Sequence, residues 1–175
     1  MSEMGLGCAD ARLKVYIANR PPLPHYQALQ GMQLMTTDEI NNVVEQSGNH
    51  WRKIFNVYAK LLFLLQPDTR FERWQCLRDQ VLFRQPLLSV GDEQLPAHAL
   101  LFTPPRLQAD ASTIHLVMGK GYASVLALPA LEWLDGHFAW HQQSRLIVCP
   151  YFDYRQLSNA RIVRLAELIQ QVGLA

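Results

Sequence analysis

The chain has no Cys-x-x-Cys pair: Cys8, Cys76 and Cys149 are odd in number and far apart. That excludes a disulfide framework and the usual zinc spacings, and three free thiols fit a reducing cytoplasm. No charge of one sign prevails, since 16 Lys+Arg against 15 Asp+Glu leave a formal net charge of +1. Proteins that live on a phosphate backbone show a basic excess, so nucleic acid is disfavoured globally as a partner, while a local basic patch is still allowed. There is no long hydrophobic run either. The longest, residues 61–65, is far too short to span a bilayer, and no membrane association is expected. Met1-Ser2-Glu3-Met4-Gly5 offers neither a positive flank nor an apolar stretch, so no secretory leader is expected and the cytoplasm is the expected location.

Several chemistries lack their signatures. G-x-x-x-x-G-K-[ST], G-x-G-x-x-G, G-x-S-x-G and H-E-x-x-H are all missing, which removes both nucleotide fingerprints, the nucleophile elbow and the zincin pair. Neither a metal nor a cofactor is expected. His137 and His141 stand four apart, but Asp135-Gly136 beside them reads as a turn rather than a helix. His115 lies inside an apolar run and reads as a hydrogen-bonded core residue. Cys149 ends such a run and reads as a small buried hydrophobe.

What is present is an ordinary globular balance. The chain has 175 residues with 49% hydrophobic and 18% charged, which predicts one α/β domain over residues 1–175. Apolar runs at 13–18, 99–102, 114–118 and 145–149 each stop at Pro, Gly or polar residues. Continuous runs of this kind suit strands covered on both faces. The expectation is a three-layer α/β/α sandwich around a short, mostly parallel four-stranded sheet.

Thr36-Thr37-Asp38-Glu39 is a capping-box pattern opening a helix to about Gln46, with Gly48 as its stop. Asn49 opens a second, in which Trp51, Ile54, Phe55, Tyr58, Leu61, Leu62 and Leu65 recur at three- and four-residue steps until Pro67. Thr69 and Glu72 form a second capping box. Residues 81–90 are ambiguous because of Pro86, and Gly91-Asp92-Glu93 reads as a turn. An amphipathic helix from Ser158 as N-cap to Val172 closes the chain. The link after residue 102 is short for a parallel crossover, which normally takes a dozen residues or more. Either a brief helical turn bridges it or one strand is antiparallel, so the direction of the strand at 98–103 stays open.

In open α/β sheets, ligands bind beyond the carboxyl ends of the strands. Parallel strands would bring four loops to one crevice. Asn19-Arg20-Pro21-Pro22, followed by His25 and Tyr26, offers Arg20 to a phosphate or carboxylate and His25 to proton transfer, or is a rigid surface loop. Thr103 ends the second run. Gly119-Lys120-Gly121-Tyr122 is either an anion cradle or a tight strand-to-helix turn. Tyr151-Phe152-Asp153-Tyr154-Arg155-Gln156 is the most unusual segment. There Tyr151 or Tyr154 can stack on a planar ring, Lys120 and Arg155 can meet phosphate, and Asp153 can bond the ring or orient a water. Alternatively the aromatics pack the loop and Asp153 pairs with Arg155.

The order of these pieces resembles the uracil-DNA glycosylase superfamily over most of the chain. Residues 15–22 stand where that family has a strand and a Gly/Pro-containing loop, and Gly48-Asn49-His50-Trp51-Arg52-Lys53-Ile54 where a Gly-rich stretch enters a helix. Thr103 stands in place of a base-reading Asn. Gly119-Lys120-Gly121-Tyr122-Ala123-Ser124-Val125-Leu126 is similar to its Gly-x-x-Ala-x-x-Leu, shifted by a residue, and Cys149-Pro150-Tyr151 keeps the proline of its His-Pro-Ser loop. The resemblance implies an α/β/α fold without the family's usual histidine, asparagine and water-activating acid, and without its four-cysteine iron–sulfur pattern. The chain as a whole is also similar to a small bacterial family without assigned function.

Two functions follow, and neither decides whether the protein is an enzyme. One is a crevice for a planar, anionic small molecule, a nucleotide or a flipped base. The other is a non-enzymatic scaffold whose Trp133, Phe138 and Trp140 form an apolar patch for a partner or a homodimer.

Overall fold

In the computed structural model the described residues are 2–65, 71–84, 97–108 and 112–174. Pro67, Thr69 and the turn at Gly91-Asp92-Glu93 lie outside them, as does most of residues 81–90. The elements in chain order are β1 (Gly5–Gly7), β2 (Leu13–Tyr16), α1 (Pro24–Gln27), β3 (Met32–Gln33), α2 (Thr37–Ser47), α3 (Asn49–Leu65) and α4 (Trp74–Val81). Then come β4 (His98–Leu101), β5 (Ile114–Met118), α5 (Lys120–Ser124), β6 (Glu132–Trp133), β7 (Ala139–His141), β8 (Leu146–Cys149) and α6 (Asn159–Ile169).

The four continuous apolar runs become β2, β4, β5 and β8. They lie side by side in the order β4-β2-β5-β8, and every pairing among them is parallel. The sheet is nevertheless eight-stranded and mixed, which corrects the expectation of a four-stranded one. β1 joins antiparallel to β4 with β3 parallel beside it, and at the other edge β7 joins antiparallel to β8 with β6 beyond it. These additions are two or three residues long, too short to carry a period. β1 is built on close approach: a side chain on Gly5 would sit 2.2 Å from the Leu100 carbonyl oxygen, and one on Gly7, at φ +106°, 2.4 Å from that of His98. Glycine is what lets this edge pair. Gly5→Ala is therefore expected to cost about 2 kcal/mol by overpacking, seen as a fall in Tm of about 4–8 °C in a thermal melt.

The short link after β4 does not come from an antiparallel strand at that place, and its residues 109–111 lie outside the described residues. β4 and β5 are both parallel to β2, which lies between them. Residues 102–113 step across that strand without a helix in their described part. An extended chain of this length spans roughly 40 Å, ample for two strand spacings of about 4.8 Å and the return along a short strand.

Side chains alternate between the two faces of the sheet, as the pleat requires. Val15, Leu100, Leu116 and Ile147 face one way and meet Ile54, Phe55, Tyr58 and Leu62 of α3 and Ile162 and Leu165 of α6. Tyr16, Ala99, Leu101, Val117 and Val148 face the other way, under α5 and the apolar side chains of Leu107, Leu126, Leu128 and Leu131. The expected three layers are thus lopsided. The large helices share one face, while the other is covered by a five-residue helix and extended chain. Crossovers this short leave no room for a full helix there.

Local signals explain the helices. Thr36 and Glu39 close their capping box, with Glu39 N–H donating to Thr36 Oγ1 at 3.2 Å and Thr36 N–H to Glu39 Oε2 at 2.8 Å. Gly48 breaks α2 from α3 at φ +79°. The second expected capping box does not set α4, which begins only at Trp74 with Arg73 as N-cap and no side-chain cap bond. Ser158 does precede α6, again without a side-chain cap bond.

Candidate functional site

β2, β5 and β8 run parallel and end together. After β5 the chain turns to the face covered by α5, and after β8 it turns to the face covered by α6. Adjacent strands whose loops part in this way leave a crevice at their carboxyl ends. One is there, with a volume of about 640 Å³, within the range of small-molecule sites. Ala18 comes from the end of β2, Lys120 and Tyr122 from α5, and Tyr151 and Arg155 from the loop after β8; His137 comes from the β6–β7 turn and Arg161 from α6. Gly119 makes the turn at the floor: its φ of +95° is the left-handed region, and its N–H donates to Cys149 O at 2.8 Å, tying the two loops together. α5 is too short for a substantial dipole, so the charge of the site comes from side chains.

That charge is of one sign. Lys120, Arg155 and Arg161 line the crevice, and no Asp or Glu does. Among the described residues no carboxylate forms an ion pair with any of the three. Lys120 Nζ lies 4.8 Å from the ring centre of Trp133, and the Arg155 guanidinium lies 5.8 Å from that of Tyr154. Arg161 is held more firmly, donating to Gln156 O at 2.7 Å and to His137 Nε2 at 3.0 Å. A guanidinium only donates, so Nε2 accepts and the imidazole proton sits on Nδ1.

Two phenols complete the wall. Burial pushes the hydroxyls of Tyr122 and Tyr151 above the ordinary tyrosine range, so both stay protonated at neutral pH. The Tyr151 ring stacks on His50, with centroids 5.7 Å apart and planes 25° apart. Its hydroxyl lies 2.9 Å from His50 Nε2 and accepts from Asn19 Nδ2 at 3.5 Å. The first turn of α3 and the end of β2 therefore hold Tyr151 in place from behind.

Of the candidate residues picked out from sequence, Lys120, Tyr122, Tyr151 and Arg155 line the crevice, with Gly119, Gly121, Pro150 and Gln156 of the same loops, whereas Asn19, Arg20, His25, Thr103, Asp153 and Tyr154 do not. Asn19 serves Tyr151. Arg20 is spent on its own loop: it donates to the carbonyls of Tyr26, Gln27 and Leu29, each at 3.0 Å, and lies over Phe102. His25 Nε2 lies 2.6 Å from Gln33 Oε1, and the ring meets Tyr26 edge-on. Thr103 follows β4, one strand removed from the crevice, where its Oγ1 accepts from Met4 N–H. Asp153 neither pairs with the Arg155 side chain nor faces the crevice. One oxygen accepts the Arg155 N–H at 2.9 Å, and the other lies 3.5 Å from Lys53 Nζ. Tyr154 stands on the rim, half exposed, with Lys53 Nζ 4.8 Å from its ring centre.

Arg161 escaped the sequence reading, in which His137 and His50 figure for a metal or a helix start and not for this crevice. They approach from a helix, a hairpin turn and a helix start, with no local signal linking them to the strand ends. His141 lies on β7 with Nδ1 2.7 Å from Ser144 Oγ, not beside His137. Among the described residues no group of three or more His, Cys, Asp or Glu could hold a metal ion. Cys149 is fully buried and burial pushes its thiol far up, so it is no nucleophile at neutral pH. The supposed aromatic patch is not contiguous. Phe138 belongs to the core, Trp140 donates Nε1–H to Glu132 Oε2 at 3.0 Å, and only Trp133 is largely exposed.

No curated protein and no solved structure matches the chain. Nothing in the comparisons supports the glycosylase resemblance. A family model, described as a family of unknown function (DUF6942), matches residues 4–170. Most of the sheet and every side chain lining the crevice fall inside that span, and the chain belongs to this family.

Proposed function

We propose that the crevice binds a small, planar, anionic molecule of the nucleotide type. The observation that carries this reading is the convergence of Lys120, Arg155 and Arg161 on one cavity with no lining carboxylate. Three cations brought together unpaired repel one another, and an anion relieves that repulsion. The two arginines present planar donor forks suited to phosphate, and Lys120 adds a compact charge. Tyr122 offers a hydroxyl donor, and Tyr151 a ring already fixed from behind for a flat ligand to rest on.

A thermal-shift series with AMP, ATP and inorganic pyrophosphate tests it. A ligand at about a hundred times its Kd is expected to stabilise by about 2.7 kcal/mol, a rise in Tm of about 5–10 °C. Lys120→Ala combined with Arg155→Ala should abolish the rise without lowering the melting point of the free protein. No rise with any of the three at millimolar concentration would refute the reading.

The scaffold alternative has less behind it, because Phe138 is core and Trp133 is the one largely exposed ring of the three it invokes. We place the protein in the cytoplasm on the strength of its free thiols at Cys8, Cys76 and Cys149. Among the described residues no helix is long and apolar enough to cross a membrane.

A further inference from the structure

Resting on that reading, we infer that the natural ligand is a short single-stranded segment of nucleic acid, with phosphates in the crevice and bases stacked on Trp133 and Tyr154 at its two rims. These are the two exposed aromatic rings with a crevice-lining cation on their faces: Lys120 lies 4.8 Å from the centre of Trp133 and Arg155 lies 5.8 Å from that of Tyr154. Trp133 is 48% exposed and Tyr154 53%. Large aromatic rings left open to water need an explanation when the core has absorbed Trp51, Phe55, Phe83, Phe138 and Phe152. One ring stands on the outermost strand β6 and the other in the loop after β8, beside Lys53 of α3.

A cationic groove beside exposed aromatic rings, with Lys120 over Trp133 and Lys53 and Arg155 over Tyr154, suits single strands, because every base has a π-face and every linkage a phosphate. A mononucleotide can use the cations and one ring. Only a ligand with several phosphates and several bases uses both rims. Three crevice-lining cations set the scale: they match a bound segment of a few nucleotides. Three phosphate contacts correspond to a salt dependence of log K against log [salt] of about −2 for a single strand.

Fluorescence anisotropy with labelled oligothymidylate of about six nucleotides, competed by dTMP, by pyrophosphate and by a duplex of equal length, separates the possibilities. The oligonucleotide is expected to bind at least about tenfold more tightly than dTMP, and Trp133→Ala and Tyr154→Ala should each weaken it by about fivefold or more. Each variant should lose more affinity for the oligonucleotide than for pyrophosphate, which has no base to stack, and Trp133→Phe, which keeps a ring, should restore much of the loss. Lys120→Ala should weaken every ligand and flatten the salt slope. If the oligonucleotide binds no better than dTMP, if the two alanine variants bind it like the wild type, or if the duplex binds equally well, this inference falls while the anion site stands. If pyrophosphate, dTMP and the oligonucleotide all fail to bind, the proposed function falls with it.

Discussion

Acidification from pH 6.5 to 4 is expected to cost the fold up to about 3 kcal/mol through His115 alone. This residue is 3% exposed in the sheet face under α5. Its Nδ1 lies 2.7 Å from the Tyr16 hydroxyl, and the two rings stack with centroids 5.7 Å apart. Lys14 is its direct partner in the β2–β5 register, and Lys14 Nζ donates to both oxygens of Glu3 at 2.9 Å. Burial first, and the Lys14 charge second, lower the His115 pKa to about 4, against a smaller opposing pull from Glu3. The folded imidazole therefore stays neutral down to about pH 4, whereas the unfolded chain takes up its proton near 6.5. Between those values the unfolded state binds more protons, so stability is complete above pH 6.5 and drains away as the pH falls. A shift of this size is worth about 3 kcal/mol as an upper bound. His115→Gln keeps a partner for Tyr16 and cannot titrate. Urea unfolding at several pH values should show wild-type stability falling towards that of the variant, the carboxylates being common to both. A constant difference between them would exclude the effect.

Tyr58→Ala is the substitution expected to do most damage. Tyr58 sits at the middle of α3, fully buried, with its hydroxyl donating to Ala99 O at 3.1 Å. Its ring is edge-on to Phe83 at 4.9 Å and to Phe152 at 5.8 Å, and tilted against His98 at 5.7 Å. It therefore joins the helical layer, the sheet and the loop after β8 that carries Tyr151. Removing the ring is expected to cost about 4 kcal/mol or more, a fall in Tm of about 8–16 °C. Tyr58→Phe keeps the packing and removes only the hydroxyl's bond to the Ala99 carbonyl, at about 1 kcal/mol. The ratio of the two losses, measured by denaturant unfolding, reports how much of the tyrosine's role is ring and how much is hydroxyl. Equal losses would mean that the aromatic cluster contributes nothing beyond the hydrogen bond.

The parallel centre of the sheet was legible because strands covered on both faces are continuously apolar, as at Ile114–Met118 and Leu146–Cys149. The edges were not, because Gly5–Gly7 and Glu132–Trp133 are too short to carry a pattern. At the crevice, reading the strand ends located the loops but not the direction of their side chains. Lys120 and Arg155 point into the cavity, whereas Arg20 and Asp153, equally polar and equally close to a strand end, satisfy their own loops or α3. Whether a polar group is spent locally depends on carbonyls and cations brought in by other segments, and residue type says nothing of that. Arg161 and His137 enter the site for the same reason in reverse: only the packing of α6 beside the hairpin turn places them there.

The strand order also dictates when the molecule can acquire its architecture as it leaves the ribosome. β2 occupies the middle of the sheet, yet its neighbours are β4 and β5, with Leu13 opposite His98 and Ile114. β1 likewise waits for residues 99–101. Until those residues emerge, the first strands have no lateral partner apart from the small β1–β3 pairing. Meanwhile α3 presents Trp51, Phe55 and Tyr58 with no sheet to cover them. Closure must then bring together segments distant in the chain, which slows the final step and lengthens the interval in which that apolar stripe can meet other chains. Vectorial synthesis thus leaves the apolar stripe of α3 uncovered until β4 is free to insert beside β2.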